Sequence, residues 1–349
     1  MFADFIAPDD CRWARVLERV RHDVYHLPQY AVVAAKHEGG TPVGFYACEG
    51  QREILIPLLL RNLPAEFGIA NLKDATSPYG YPGPVSTHAK DSDWIHRSLT
   101  ALQDVGSGNG IITAFLRLHP LRGLAPEELT GHGTVVRHGP IVYVDLTKTP
   151  DQVHAETRSN HKRNIRRLQQ AGFVTRMDDW NLYAGFGSLY RATMERLGAT
   201  DFYFFRDAYF DDLRHLLQER LHFCAVLAPD GQLSAAGVFT ETDGIAEYHL
   251  GGTAAAYLKY APSKLMFDAV IRWGRSIGAE VLNLGGGMGA QAGSLFQFKA
   301  GFSDLRAEFH TMRIILDESR YSDLVLPWVA HGGAMKSDQE YFPLYRKPL

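Results

Sequence analysis

The sequence predicts a mixed α/β chain made of two domains, each of α+β character, and three observations carry that expectation. A length of 349 residues exceeds what one compact core usually organises and suits two domains of roughly 150 residues each. Residues 222–227, 233–240 and 245–251 read as a β-meander with its first turn at Pro229, Asp230 and Gly231, and an amphipathic helix at 262–277 then leads to a strand at 281–284. Hairpins combined with helix-crossed strands mark an α+β sheet rather than a doubly wound βαβ repeat. Third, Thr149 is placed to cap a helix whose first residue is Pro150, where the missing N–H costs nothing, so a boundary falls near 149.

The remaining elements follow from local pattern. Residues 43–48 and 53–60 are β-rich runs joined by a turn at Glu49, Gly50 and Gln51. In DATSPYGYPGP, residues 74–84, three prolines and two glycines oppose regular structure and hold Tyr79 and Tyr81 in a defined loop. Helical periodicity covers 94–105, and strands are expected at 111–118 and 141–146. Beyond the boundary the pattern gives helices at 150–157 and 160–171, a strand at 173–177, a long helix at 181–197 and another helix at 207–219. Residues 317–349 form a mixed tail expected to pack back on the first domain.

Composition narrows the function classes. The 46% hydrophobic and 21% charged shares are ordinary for a globular chain, and no run approaches the ~20 apolar residues of a membrane span. Asp4, Asp9 and Asp10 stand where a secretory signal needs a basic start and an apolar run, so a cytoplasmic location is expected. Cys11, Cys48 and Cys224 are too scattered for a disulfide framework or a thiolate zinc site, and no metal is expected. A net charge of -3 argues against a protein that coats nucleic acid over its whole surface, DNA included, while leaving room for a local basic patch.

Such a patch exists in RSNHKRNIRR, residues 158–167, with Arg158, Lys162, Arg163, Arg166 and Arg167. Lys162 and Arg166, like Arg163 and Arg167, are four apart and share helix faces, while Ile165 and Leu168 turn to the core. Like charges at that spacing cost about 0.2–0.5 kcal/mol per pair, so a polyanion is one counterpart and a solvated basic face the other reading. In LGGGMGAQAG, residues 284–293, Gly287, Gly289 and Ala292 fit G-x-G-x-x-A only weakly as a dinucleotide fingerprint, because no long helix opens directly from it. FQFKAGF, residues 296–302, sets Lys299 beside Phe298 and Phe302 in a glycine-bounded turn, either as a snorkelling surface lysine or as a cation beside a reacting oxygen. EYHLGG, residues 247–252, offers Tyr248 and His249 before paired glycines that permit close approach by a ligand; His249 is a base or a structural imidazole. The G-x-S-x-G and H-E-x-x-H patterns are absent, which removes serine-hydrolase and zincin chemistry.

Taken in order, the RNIRR helix, YHLGGT at 248–253, and LGGG at 284–287 leading to SLFQFKAGF at 294–302 resemble the Fem family and its FemAB-like relatives among GNAT acyltransferases; DVYHLPQY at 23–30 and SPYGYPGP at 77–84 resemble that family's first domain. The resemblance implies two GNAT-like domains, residues 1–149 with 317–349 and residues 150–316. It implies transfer of an amino acid from aminoacyl-tRNA to an amine, most familiarly on a peptidoglycan precursor, by a monomer without a cofactor. Lys299 matches the lysine implicated in that family's active site, with Phe298 on the donor side. Lys36 and Arg206 fall where relatives hold the acceptor's phosphates, and Tyr79, Tyr81 and Tyr209 belong to the same acceptor side. Two departures stand out: the coiled-coil arm of some members is missing, and Gly293 replaces a frequent acidic residue. CoA-using GNAT proteins carry glycines in the segment that is LKYAPS here, residues 258–263, and Pro262 removes a backbone donor for a pyrophosphate.

The expected chemistry is aminolysis of an ester, needing alignment of two substrates and a charge for the tetrahedral oxyanion. Lys299 is the candidate for that charge, Tyr248 and His249 for positioning or proton relay, and the basic helix for tRNA phosphates. The rivals are an N-acyltransferase using acyl-CoA or an acyl-carrier protein, and a binding module that kept the fold without the chemistry.

Overall fold

A computed structural model describes residues 1–69, 71–287, 293–330 and 341–347. The chain forms two compact units, Met1–His138 with Phe309–Leu349 and Gly139–Glu308. Among the described residues no helix is long and apolar enough to cross a membrane.

In the first unit, β1 (Phe2–Ile6) and α1 (Cys11–Leu17) lead to α2 (Pro28–Glu38), β2 (Thr41–Glu49), β3 (Arg52–Asn62), β4 (Lys73–Thr76), β5 (Val85–Ser86), α3 (Ser92–Gly108) and β6 (Ile111–Arg117). In the second, β7 (Thr134–Asp145) precedes α4 (Pro150–Glu156), α5 (Ser159–Gln170), β8 (Val174–Met177), α6 (Phe186–Leu197) and α7 (Asp207–Leu217). There follow β9 (Leu221–Leu227), β10 (Leu233–Thr242), β11 (Ile245–Thr253), α8 (Ser263–Ser276), β12 (Val281–Gly285) and α9 (Ser294–Lys299). The chain then returns to the first unit through β13 (Arg306–Ile315) and α10 (Glu318–Ala330).

The strands of the first unit run in the order β1-β2-β3-β4-β6-β13, with β4 and β6 parallel and the other neighbours antiparallel. Its core joins Phe45, Ile54, Ile56 and Leu58 of the long hairpin to Trp94, Leu99 and Leu102 of α3. The tail closes a smaller cluster in which Tyr321, Leu324, Leu344 and Tyr345 pack on Leu63 and Ile112. Arg346 reaches the buried carboxylate of Asp74, which Arg61 also meets at 2.8 Å.

The strands of the second unit run in the order β7-β12-β11-β10-β9-β8. The meander of β9, β10 and β11 is antiparallel, and α8 carries the chain across to β12, which pairs parallel with β11. That pairing covers only Ile245–Glu247 of β11, so the strands part beyond Glu247 and the end of β12 opens onto the glycine-rich segment. Phe239, Phe267, Val270, Leu282 and Phe302 are core members here. The helix start at 149 is a full capping box, Thr149 and Gln152 each serving the other's backbone N–H.

The structure corrects three sequence expectations. The helix expected over 181–197 begins as a 3₁₀ turn, Trp180–Gly185, and becomes α-helical at Phe186, because Asp179 caps the turn and Tyr183 reaches across to the Phe210 carbonyl at 3.0 Å. The turn expected around Lys299 is a short helix, α9, whose Ala300 N–H bonds the Phe296 carbonyl and whose Phe296 and Lys299 are buried. Residues 74–76, expected to lack regular structure, form most of β4, the prolines and glycines beginning only after it.

Candidate active site

The site in the second unit is built where β11 and β12 diverge. Lys299 ends α9 at 6% exposure, with its Nζ donating to the Gly286 carbonyl at 2.8 Å, so the snorkelling surface reading does not describe it. Its ammonium lies 5.4 Å from the Tyr248 ring centroid, a cation–π distance. Burial pushes the Lys299 amine down to about 7, against the opposing field of the Glu247 carboxylate. Glu247 is 1% exposed and accepts from Asn283 Nδ2 at 3.1 Å, across the register in which these residues face each other. Asn283 Oδ1 in turn accepts the Gly285 N–H at 2.8 Å. The Lys299 grip, the anion and the backbone after β12 therefore form one connected set. Glu247 and Asn283 escaped the sequence reading, and the signal available was a charged residue and an amide inside two apolar strands.

Tyr248 packs between Phe239 and Phe267, and burial raises its phenol so that it stays neutral. His249 is the extra residue of a β-bulge on β11, opposite the Val238/Phe239 step, and a bulge turns a side chain out of simple alternation. It meets Tyr209 of α7 instead, with Nε2 at 2.7 Å from the phenol oxygen, and burial lowers its pKa to about 4. The imidazole is thus neutral near pH 7, with Nε2 engaged by the Tyr209 hydroxyl. Gly251 and Gly252 do not make space for a ligand, contrary to expectation. A Cβ at Gly251 would meet the Tyr248 hydroxyl, and one at Gly252 would meet Thr193 and the Leu189 carbonyl of α6, so the glycines serve the protein's own packing.

α5 is secured to this region by His161, another residue the sequence did not single out. Its Nε2 donates to the Phe298 carbonyl at 3.0 Å and its ring lies edge-on to Phe302, with centroids 4.8 Å apart. Gly301 passes so close to the imidazole that a Cβ there would overlap it. Ile165 and Leu168 are buried as expected, which divides the cations of the helix. Lys162 and Arg166 line a cavity of about 690 Å³ walled also by α4 and α8, and Lys162 Nζ donates to the His154 carbonyl at 2.8 Å. Arg163 and Arg167 are exposed on the helix. Arg158 precedes it, its guanidinium 3.4 Å from the Gln297 carbonyl. Phe298 is half-buried against Phe267 and Phe302.

At the start of α8, Ala261 is left-handed and Pro262 carries no N–H. The Lys264 and Leu265 amides are committed to the Ala261 and Pro262 carbonyls at 3.1 and 3.0 Å, leaving this helix start poorly furnished for a pyrophosphate. Gly289 and Ala292 of the weak dinucleotide pattern lie outside the described residues.

Among the residues expected on the acceptor side, Arg206 and Tyr209 belong to the second unit, Arg206 exposed just before α7 and Tyr209 buried. Lys36, exposed near the end of α2, Tyr79 and Tyr81 belong to the first. The Tyr79 N–H donates to Glu38 at 2.8 Å, and Tyr81 packs edge-on to Tyr25 and Phe309 with centroids 5.7 and 5.3 Å apart. Beneath this loop Asp23, fully buried, sits between His26 Nδ1 at 3.0 Å and His119 Nε2 at 2.8 Å. Burial opposes the Asp23 charge, but the two imidazoles outweigh it and hold the carboxyl well below its usual range. Sequence reading missed this cluster, whose only local sign is Asp23 and His26 at capping-box spacing.

Residues 155–299 match a family model described as Acetyltransferase (GNAT) domain, a stretch that ends on Lys299. The chain is similar in fold to FemX, at 12% identity and a TM-score of 0.69 over 92% of this chain and 99% of that one. It is also similar to L-PGS from Bacillus licheniformis, at 13% identity and a TM-score of 0.57 over 94% of this chain and 99% of that one. A third likeness is to the C-terminal domain of a putative lysylphosphatidylglycerol synthetase from Agrobacterium fabrum, at 13% identity and a TM-score of 0.55 over 93% and 97% of the two chains. No curated protein sequence matches the chain significantly. The fold is therefore the Fem-like, two-domain GNAT architecture that the sequence motifs led us to expect.

Proposed function

We propose, from the premise of a GNAT domain set within a FemX-like fold, that the protein is an acyltransferase that moves an aminoacyl group from aminoacyl-tRNA to an amine. The observation that carries this reading is Lys299: a buried ammonium, one N–H spent on the Gly286 carbonyl, placed where the two strands part. An ammonium has three N–H donors, so two remain for a substrate oxygen. The acceptor amine attacks the ester carbonyl, the tetrahedral oxyanion forms beside the Lys299 charge, and the C–O bond to the ribose breaks as its oxygen takes up the proton the amine releases. Ester to amide runs downhill, so alignment and charge stabilisation are the work required of the protein.

Exposed Arg163 and Arg167 suit the donor's phosphates, with Arg158 before the same helix and Lys162 and Arg166 on its cavity-lining side as further candidates. Lys36 of the first unit and Arg206 of the second are the candidates for the acceptor's phosphates, and Tyr79, Tyr81 and Tyr209 for further contacts to a cell-wall precursor or a related peptide. One structural neighbour bears the name putative lysylphosphatidylglycerol synthetase, which describes a product carrying an aminoacyl group and supports aminoacyl chemistry on this fold. A second reading, an acyl-CoA donor, is favoured by the acetyltransferase description of the matched family, while the committed amides at the start of α8 weigh against it.

Single-turnover transfer from a panel of charged tRNAs to acceptor amines, run beside acyl-CoA donors, tests both. Lys299→Met is expected to slow transfer at least roughly tenfold while leaving tRNA affinity intact. Unchanged turnover would remove Lys299 from the chemistry, and transfer from acyl-CoA alone would establish the second reading.

A further inference from the structure

Lys299 is gripped at its tip by a carbonyl belonging to a glycine, a residue with no side chain to hold it in place. The backbone just before that carbonyl is held by Asn283. Its Oδ1 accepts the N–H of Gly285, the residue before Gly286, while its Nδ2 donates to Glu247 Oε1. An amide carries its acceptor and its donors on separate atoms of one short side chain, fully buried at Asn283, and both ends are used here.

We propose that Asn283 and Glu247 are a positioning pair for Lys299: Asn283 locks the Gly286 carbonyl and the Glu247 carboxylate in fixed relation, and Glu247 keeps the buried lysine in its ammonium form. A buried lysine without a nearby anion gives up its proton, and a neutral amine neither grips the carbonyl as firmly nor offers a charge to an oxyanion. Two neighbouring groups supply no negative charge. Tyr248, on β11, stays neutral and contributes its ring face. His161 of α5, on the Phe298 carbonyl, is held toward its neutral form by burial, and Lys264 of α8, which acts on that imidazole, adds only positive charge. The inference rests on reading the Lys299 ammonium as the group that serves transfer, but its first test does not require transfer at all.

That test is an NMR titration of the full chain labelled at the lysine side-chain carbons, with the Lys299 signal assigned by its loss in Lys299→Met. Glu247→Gln keeps an oxygen for Asn283 and removes the charge, and the Lys299 midpoint is expected to fall by about one pH unit or more. Asn283→Leu is expected to lower it by less, and to add nothing in the Glu247→Gln background, the non-additivity of a residue that acts through its neighbour. An unmoved midpoint in Glu247→Gln overturns the proposal, as does an equal Asn283→Leu effect with and without Glu247. Where Asn283→Leu does not fold, the Glu247→Gln midpoint decides alone. In parallel, the alkaline limb of the transfer rate should move to lower pH in Glu247→Gln. A midpoint that moves without the rate following supports the positioning pair and refutes instead the role given to Lys299 in transfer.

Discussion

Replacing Lys299 by methionine is expected to make the second unit more stable while it slows the proposed transfer, and the size of the gain follows from the burial of the amine. A lysine in the unfolded chain keeps its proton to about 10.5, whereas folding lowers the Lys299 pKa to about 7, a difference of roughly 5 kcal/mol. Between those values the unfolded state binds more protons, so stability rises with pH across this window, and the burden is carried in full below 7. Methionine fills a similar volume without charge, but forfeits the hydrogen bond to the Gly286 carbonyl, worth about 1 kcal/mol net. The variant should therefore exceed the parent by about 3–4 kcal/mol at pH 6, with the gap closing toward pH 10. Hydrogen exchange of peptides from β11 and β12, followed through urea unfolding at several pH values, reads this unit alone. Glu247 loses its cationic neighbour in the variant, so the comparison is repeated in the Glu247→Gln background, where the difference isolates Lys299. Parallel stability profiles, or a less stable variant at pH 6, would show that the amine is not a desolvated charge.

Reversing the exposed pair in Arg163→Glu with Arg167→Glu should weaken aminoacyl-tRNA binding and reduce the slope of log affinity against log salt by roughly two, with an unchanged melting temperature; an unaltered slope in a filter-binding titration would reassign that face to plain solvent. Gly301→Ala places a methyl group into the His161 ring and is expected to cost about 2 kcal/mol or more in chemical denaturation, a loss that His161→Ala in the same chain should partly restore.

Much of the second unit was legible because its signals are local. Thr149 and Pro150 mark a helix start at two adjacent residues, and the spacing of Ile165 and Leu168 fixes which face of α5 is inside. The fold class followed from the hairpins and the crossing helix, and the comparisons agree with it at the level of fold. What stayed hidden depends on partners distant in the chain. Glu247 and Asn283 meet only because β11 and β12 pair in parallel, 36 positions apart. α9 escaped as a helix because six residues rich in aromatics show no periodicity of their own, and packing of Phe296, Phe302 and His161 supplies what propensity does not. β13, with Arg306, Glu308 and His310 among its residues, lacks the apolar run that marks a strand, and β1 is too short to show one. Gly251 and Gly252 were read as room for a ligand, since a glycine announces close approach without saying what approaches.

The late return of residues 309–347 to the first unit has a consequence for biosynthesis. On the ribosome, the whole of the second unit emerges before Tyr345 and Arg346 reach the Asp74 side chain. Until then that carboxylate has Arg61 but not its second guanidinium, and the pocket formed by Leu63 and Ile112 remains open. Maturation of the half made first therefore waits on the half made second, and a nascent chain arrested before residue 344 would carry a finished GNAT domain beside an unsealed neighbour that holdase chaperones could recognise.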